Sequence, residues 1–355
     1  MDRSTDQRLG ALHERLTAAV SALSSSSDWQ QAVSFAARFR SRSFSNSVLI
    51  CVQHTAAFEA GQTSEPMPSF VAGYRQWQRL GRQVLKGQQG YMIFAPVTGR
   101  FATSTLTDPE SWRRLRRGEK PRPGEVVRTR MVGVRPAYVW DISQTAGDPI
   151  PERPSPKLLE GEAPAGVWDG LAEQVRAEGF AVGLVPDAVA IGGANGCTDY
   201  VARSVVVRED MDPAARVKTL AHELAHVLLH GPDNPDATGH RGIAEVEAES
   251  VALMIGAAHG MDTSDYTIPY VSDWASSVKD STPVEVVQAT GERVRRTALG
   301  ILDHLDTMQV SGGDPPGLTR DAPRASPEPP RAAAVGVEHI YQSQARIPVA
   351  SGRGL

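Results

Sequence analysis

The first part of the chain is patterned as a series of amphipathic helices. Apolar side chains recur there at the spacing of one buried helical stripe, at Leu9, Leu12, Leu16, Val20 and Leu23. The serine run 24–27 interrupts this pattern, and Asp28 is suited to be the N-cap of a following helix. We therefore predict three consecutive helices, with the second over 29–40 and the third over 45–54.

The pattern changes to that of strands between residues 70 and 142. Residues 70–96 consist of short apolar runs separated by glycines, which predicts strands joined by tight turns. Residues 101–125 are polar and contain the cluster Trp-Arg-Arg-Leu-Arg-Arg at 112–117, which predicts an exposed insertion. Strand-like character returns over 126–142, so this half of the chain combines helices with a sheet.

Prolines divide the chain into two predicted domains. Five of them, at positions 149, 151, 154, 156 and 164, predict an extended linker. Beyond it we predict a helix over 167–178, strands over 181–184 and 204–207, and a last helix over 283–307. The predicted fold class is α+β, with one domain over 1–148, a linker over 149–165, a second domain over 166–310 and a disordered tail over 311–355.

Charge is distributed unevenly between the predicted domains. The net charge of the chain is −4, but residues 1–148 hold 20 Lys or Arg against 12 Asp or Glu, whereas residues 149–310 hold 12 against 25. A basic module joined to an acidic one predicts a polyanionic partner for the first module only.

Two further features bear on where the protein works. The only cysteines, Cys51 and Cys197, are far apart and match no metal-binding spacing, so we expect both to be buried free thiols of a cytoplasmic protein. We find no stretch that approaches the roughly 20 apolar residues of a membrane span, and we expect no membrane partner.

The clearest chemical signal is the sequence His222-Glu223-Leu-Ala-His226 on a predicted helix. Asp212 and Pro213 mark the start of this helix, and Gly231-Pro232 marks its end. Histidines four residues apart share a helix face and can both bind one tetrahedral zinc ion. Glu223 is then placed to act as general base toward a water at the metal. The sequence predicts a zinc-dependent peptidase centre.

A third protein ligand is expected from the helical run that follows. Glu245 and Glu249 share one face of that run, so one can bind zinc while the other orients a ligating histidine. We take Glu245 as the ligand and Glu249 as the orienting residue, with the reverse assignment or His240 as alternatives. Glu247 points elsewhere and is interpreted as part of a solvated face. His230 is roughly 12 Å from His222 along the helix, too far to share the ion.

These two motifs together resemble the gluzincin-like peptidases of the ImmA/IrrE kind, across roughly residues 167–305. The resemblance implies a zincin-like fold in which Glu245 is the third ligand. It also implies that a peptide substrate binds as an added strand, near the edge formed by residues 195–200. Glu249 departs from the Asn or Asp common at the orienting position of that family.

A second resemblance concerns the N-terminal module. Three blocks carry it: Phe44-Ser-Asn-Ser-Val-Leu-Ile50, Val71-Ala-Gly-Tyr-Arg-Gln-Trp77 with its continuation to Gly90, and Val139-Trp-Asp-Ile-Ser-Gln-Thr145. They resemble the N-terminal domain of ArdC-type antirestriction proteins across roughly residues 8–148. The resemblance implies binding of single-stranded DNA without sequence preference, through cations that neutralise phosphates and aromatic or amide groups that meet bases. It places these contacts on Arg42, Asn46, Tyr74, Trp77, Arg82 and Lys86. Taken alone, the aromatic residues Tyr74 and Trp77 are instead interpreted as core side chains.

The combined prediction is a single-stranded-DNA-binding zinc metallopeptidase whose substrate is a protein near or on DNA. A non-catalytic alternative stays open, in which the protein shields incoming single strands and the metal site is structural. A metal-dependent nuclease is disfavoured, because one nitrogen-rich site differs from the carboxylate-rich two-metal sites of nucleases.

Overall fold

The computed structural model describes residues 3–23, 25–150, 161–232, 234, 241–263, 274–275, 278, 281–310 and 312–315. Most of the predicted linker and tail therefore lie outside the described residues, as does His240. The described chain separates into two compact units. One contains residues up to 13 together with 92–138, and the other contains residues 14–91 with the described part of 139–318. The predicted domain boundaries divide the chain differently and stay a prediction.

Helices and strands are mixed throughout, which confirms the α+β prediction. The described α-helices are α1 Arg3–Ser21, α2 Ser26–Arg38, α3 Phe44–Glu59, α4 Tyr74–Arg79, α5 Val167–Ala177, α6 Pro213–Leu229, α7 Arg241–Ala258 and α8 Pro283–Asp303. The described strands are β1 Val71–Gly73, β2 Arg82–Val84, β3 Tyr91–Thr103, β4 Arg113–Arg114, β5 Val126–Asp141, β6 Thr145–Gly147, β7 Ala181–Val185, β8 Gly196–Asp199 and β9 Ser204–Arg208. None of the described helices is long and apolar enough to cross a membrane.

Capping residues set the helix boundaries largely as the sequence predicts. The Asp212 side chain accepts a hydrogen bond from the Ala215 amide at 2.8 Å, and Pro213 occupies the first turn of α6. For α2 the prediction was off by one turn, because Ser25 is the N-cap and Asp28 completes the capping box from the third helical position.

The core of the larger unit is built around α7. This helix packs against α6, against α8 and against α2. Its residues Val246, Ala248, Val251 and Leu253 are buried, and α6 contributes a buried stripe at Val217, Leu220 and Leu224. Because α7 is covered on several sides, its backbone is held firmly beside α6, which is the helix with the HExxH sequence.

Trp29 connects the N-terminal helices to this core. Its side chain is 0% exposed, and its indole N–H donates a 2.9 Å hydrogen bond to the Ser250 hydroxyl of α7. Its ring also meets the Trp274 ring edge-on at 5.3 Å between centroids. Helix α2, which precedes the predicted linker, therefore shares a core with α7, which follows it.

A three-stranded sheet lies beside the same helices. β7 and β9 pair in parallel, and β8 pairs antiparallel with β9, so β8 is at an edge of the order β7-β9-β8. In the described part of the chain, no strand pairs with the other side of β8. The prediction of strands at 181–184 and 204–207 is confirmed by β7 and β9. The expectation of a buried thiol was wrong for Cys197, which is exposed on the edge strand β8.

The smaller unit is dominated by residues 92–138, which we call the arm. The arm contains most of β3 and β5, with β3 hydrogen-bonded between β5 and the short β4. In the larger unit, the last three residues of β5 pair antiparallel with β1. The predicted insertion 101–125 contains the end of β3, a 3₁₀ turn and β4, and its residues are mostly exposed.

We predict that Trp29→Ala lowers the free energy of unfolding by about 3–5 kcal/mol. The substitution leaves a cavity in the core and removes the hydrogen-bond donor of the Ser250 hydroxyl. Denaturant unfolding followed by far-UV circular dichroism measures this change. Phe58→Ala, which removes a 38% exposed ring from α3, is the control and costs under about 1 kcal/mol. An unfolding free energy for Trp29→Ala within 1 kcal/mol of the parent would show that α2 does not stabilise the core.

Candidate metal centre

Two histidines of α6 face the same point. His222 and His226 are one helical turn apart, and their Nε2 atoms are 3.0 Å apart. Both rings are partly shielded rather than exposed. The prediction that the HExxH spacing brings both imidazoles to one place agrees with this geometry.

Glu245 of α7 completes a three-residue cluster with these histidines. Its Oε2 atom is 3.6 Å from Nε2 of His222 and 3.7 Å from Nε2 of His226. One donor atom from each residue lies within 4.8 Å of the other two. Two imidazole nitrogens and one carboxylate oxygen are the donor set of many catalytic zinc sites, which leave a further position for water or substrate. The residues present therefore fit a zinc ion.

Glu249 holds the His222 ring from the other side. The Nδ1 atom of His222 is 3.2 Å from Oε2 of Glu249, and Lys218 approaches Oε1 of the same carboxylate at 2.9 Å. Burial raises the pKa of Glu249, but His222 and Lys218 outweigh it and lower the pKa below its usual value. A carboxylate on Nδ1 leaves Nε2 of His222 free for a metal.

Charge accumulates at this cluster and shifts the pKa of its members. Hydrogen bonds to His222 and His226 hold the pKa of Glu245 well below its usual value. Burial lowers the pKa of His222, but Glu245 and Glu249 overcome that effect and raise it to about 9. The cluster therefore combines positive and negative charges. In a partly buried place each of these charges needs an opposite charge nearby.

His226 has a different partner from His222. Its Nδ1 atom is 2.9 Å from Nδ1 of His230, and Nε2 of His230 is 3.0 Å from Oε2 of Glu247. Arg293 of α8 approaches the other oxygen of Glu247 at 3.2 Å. The interpretation of Glu247 as part of a solvated face was wrong: its side chain is buried, because α8 covers that side of α7.

Glu223 is positioned by the edge strand of the sheet. The hydroxyl of Thr198 on β8 donates a 2.6 Å hydrogen bond to Oε2 of Glu223. A Cβ atom at Gly196 would lie 2.8 Å from Oε1 of Glu223, so only glycine allows the strand to approach this closely. No local pattern in the sequence marks Thr198, because its role depends on how β8 packs on α6.

A cavity of about 940 Å³ opens over these groups. It is lined by the cluster residues, by Glu223, and by β8 with its neighbour Tyr200. The Tyr200 hydroxyl donates a 2.8 Å hydrogen bond to the carbonyl oxygen of His226. Burial and the charges of Glu223 and Glu245 raise the pKa of Tyr200 to about 12, so it is a protonated donor at neutral pH.

The six predicted DNA contacts are in different environments. Tyr74 is 46% exposed and Lys86 is exposed. Trp77 is 0% exposed and donates its indole N–H to the Trp140 carbonyl, so it presents no ring face to a ligand, and the Asn46 side chain is buried.

The remaining two predicted contacts are arginines engaged within the protein. The Arg42 guanidinium donates to the Val71 carbonyl at 2.9 Å and lies 3.5 Å from Asp314. The Arg82 guanidinium donates to Thr145 and to the carbonyl oxygens of Gly147 and Asp148. Both cations therefore support local structure around the strands.

Positive charge is concentrated on the arm. Its 47 residues include ten Lys or Arg against four Asp or Glu. Two of the four acids, Glu119 and Glu125, pair with Arg113. The Trp112 ring lies under Arg130 at 4.3 Å and Arg128 at 5.5 Å, and Arg130 also lies 5.8 Å from the centre of the Phe101 ring. The arm therefore presents a cationic face built on aromatic rings.

Two family models match separate parts of the chain. Residues 9–140 match the N-terminal domain of the anti-restriction factor ArdC. Residues 187–269 match the IrrE N-terminal-like domain, Peptidase M78, and this range includes both histidines and Glu245.

Comparisons with individual proteins give more distant similarities. An uncharacterized protein of Bacillus anthracis is 23% identical over 296 residues, which cover 79% of this chain and 48% of that protein. The chain thus spans about half the length of this relative.

Two crystal structures of the antirestriction protein ArdC from plasmid R388 also align, each at 18% identity and over 74% of this chain. The metal-free structure has a TM-score of 0.46 over 84% of its own length, and the Mn(II)-bound structure has 0.42 over 88%. From the two family matches, this chain carries an ArdC-type N-terminal domain followed by an IrrE-like domain of the Peptidase M78 family.

Proposed function

We propose that this protein binds single-stranded DNA and hydrolyses peptide bonds in proteins near that DNA, with a divalent metal ion as cofactor. The observation that carries the proposal is the convergence of His222, His226 and Glu245 beside Glu223, in a cavity bordered by an edge strand. The family matches support both halves of the proposal.

His222, His226 and Glu245 would hold the ion, and zinc is the metal that this donor set favours. When bound, the ion supplies Lewis-acid polarisation of a carbonyl group and lowers the pKa of water. Glu223 accepts a proton from the attacking water and returns it to the leaving amine. Thr198 fixes one oxygen of Glu223, which leaves the other oxygen for the proton. The hydroxyl proton of Tyr200 is donated to the His226 carbonyl, so an oxyanion would have to compete with that carbonyl for it.

The edge strand β8 provides a docking site for an extended peptide. One side of β8 pairs with β9, and its residues line the cavity at the metal cluster. A substrate strand that pairs with its other side would bring the peptide backbone past Glu223 by main-chain hydrogen bonds. Such binding depends little on side chains, which is consistent with action on varied proteins.

We expect the arm to supply most of the DNA contacts. Guanidinium groups neutralise phosphates, and half-exposed rings at Phe101 and Trp112 offer stacking surfaces without reading sequence. The exposed Tyr74 and Lys86 remain proposed contacts. Trp77 and Asn46 are buried and Arg42 and Arg82 are engaged within the protein, so we do not carry these four into the proposal.

We predict that Glu223→Gln lowers the rate of peptide hydrolysis about 10³-fold or more, because it removes the proton acceptor. Zinc binding is retained, because the substitution removes none of the ligands. The assay is mass-spectrometric detection of new termini in a proteome-derived peptide library. Glu209→Gln, at an exposed carboxylate, is the control. Zinc binding with no turnover by the parent chain would instead favour the non-catalytic function.

We predict that His222→Ala removes the thermal stabilisation that zinc gives to the parent chain. A ligand at 100 times its Kd stabilises the folded state by about 2.7 kcal/mol, and losing one of three ligands abolishes that gain. Differential scanning fluorimetry with and without zinc or manganese measures it. His304→Ala, at an exposed histidine outside the cluster, should keep the full shift; an equal shift in His222→Ala would disprove this ligand set.

We predict that replacing Arg128 and Arg135 of the arm together with alanine weakens binding to an oligothymidine about 20-fold at 0.1 M salt. The loss of two phosphate contacts reduces the slope of log K against log salt by about 1.4 for a single strand. Fluorescence anisotropy of the full chain across a salt series measures both quantities. The control pair is Arg176→Ala with Arg296→Ala, at exposed arginines of the larger unit; equal losses in both pairs would show that only net charge matters.

A further inference from the structure

We propose that His230 and Glu247 are positioning residues, which fix the ring orientation and the tautomer of His226 so that its Nε2 atom faces the metal. This inference rests on the proposed metal centre and extends it to two residues that make no contact with the ion. Two hydrogen bonds link His226 to His230 and His230 to Glu247, and the other oxygen of Glu247 forms an ion pair with Arg293 of α8.

The direction of each hydrogen bond follows from the chemistry of the two rings. A histidine that binds a metal through Nε2 must carry its proton on Nδ1. The partner of Nδ1 of His226 is Nδ1 of His230, at 2.9 Å, which must then be the acceptor. His230 consequently holds its own proton on Nε2 and donates it to Oε2 of Glu247, at 3.0 Å.

The opposite tautomers are disfavoured by Glu247. If Nδ1 of His230 were the donor, Nε2 of a neutral His230 would present a lone pair to a carboxylate. Two acceptors 3.0 Å apart repel each other, and burial of the site intensifies that repulsion. Glu247 therefore selects the His230 tautomer, and His230 in turn selects the His226 tautomer that can bind a metal.

The burial of Glu247 is difficult to explain by stability alone. Its side chain is 2% exposed, and the His230 side chain is 8% exposed. A buried ionised carboxylate is costly even when paired, and apolar residues of similar volume often serve the fold as well or better. Arg293 compensates the charge at 3.2 Å. A positioning role accounts for a charged series that the core itself does not need.

Helix geometry explains why His226 needs an intermediary. Glu245 and Glu249 share one face of α7, so Glu249 reaches the His222 ring directly at 3.2 Å. Glu247 lies between them in sequence and points away from that face. His230 is the C-cap residue of α6, one turn beyond His226, and bridges the distance to this carboxylate. Each proposed histidine ligand is thus linked to a carboxylate of α7. His222 contacts Glu249 directly, and His226 is linked to Glu247 through the His230 ring.

The test measures metal affinity in the full chain rather than turnover. His230→Phe removes the acceptor while keeping a ring, and Glu247→Gln removes the charge while keeping the shape. We expect each to raise the Kd for zinc about 10- to 100-fold in competition with a chelator of known affinity. We also expect an altered d–d absorption spectrum of the cobalt-loaded protein. His304→Phe and Glu209→Gln, both at exposed positions, are matched controls and leave Kd unchanged.

Two additional variants separate positioning from packing. His230→Gln offers a side-chain carbonyl to Nδ1 of His226, so it should recover part of the affinity that His230→Phe loses. The double variant His230→Phe with Glu247→Gln should cost no more than the larger single loss, since the two residues act in series. Melting temperatures of the metal-free variants record any purely structural effect.

The inference is overturned if His230→Phe melts earlier without metal yet binds zinc with the parent Kd and cobalt spectrum. It is likewise overturned if the two single losses add in the double variant. In either case His222, His226 and Glu245 would still hold the ion and the proposed function would stand. A parent chain that binds no metal at these three residues would remove the proposed function, and this inference with it.

Discussion

The packing of α6 against α7 is the constraint on which the rest of this site depends. Neither helix supplies the three candidate ligands alone, because α6 contributes two imidazoles and α7 contributes the carboxylate. Their shared face is apolar, with Leu220 and Leu224 on α6 buried. Removing these side chains from water stabilises the helix pair, and the polar residues are then held at its rim in a fixed geometry.

The three carboxylates of α7 are each stabilised by a positively charged or imidazole side chain. Glu245, Glu247 and Glu249 occupy one short stretch, and each is paired: Glu245 and Glu249 both approach His222, Glu249 also pairs with Lys218, and Glu247 pairs with Arg293. Lys218 and Arg293 come from the helices on either side, α6 and α8. Buried charge is tolerated only when it is paired, so these two cations are as necessary to the cluster as the carboxylates themselves.

Local sequence patterns predicted the parts of this site that depend on local geometry. Helix periodicity places His222 and His226 on one face, and Glu245 and Glu249 on another. The cap at Asp212 follows from its residue type and its position before the helix. The burial of Glu247 does not, because it depends on which distant element covers it. Thr198 belongs to the same class, since a threonine on a short strand acquires its partner only when β8 packs on α6.

The position of α2 changes how the two sequence modules are related. A proline-rich linker suggests domains that move independently, but Trp29 of α2 is buried against α7 and bonded to Ser250, the neighbour of Glu249. One helix therefore carries the carboxylates of the proposed metal site on one side and the surface that packs against α2 on another. An N-terminal fragment that ends before the linker lacks α7 and would expose the apolar face of α2 to water. Helix α2 thus supports α7, the helix that carries Glu245 and Glu249.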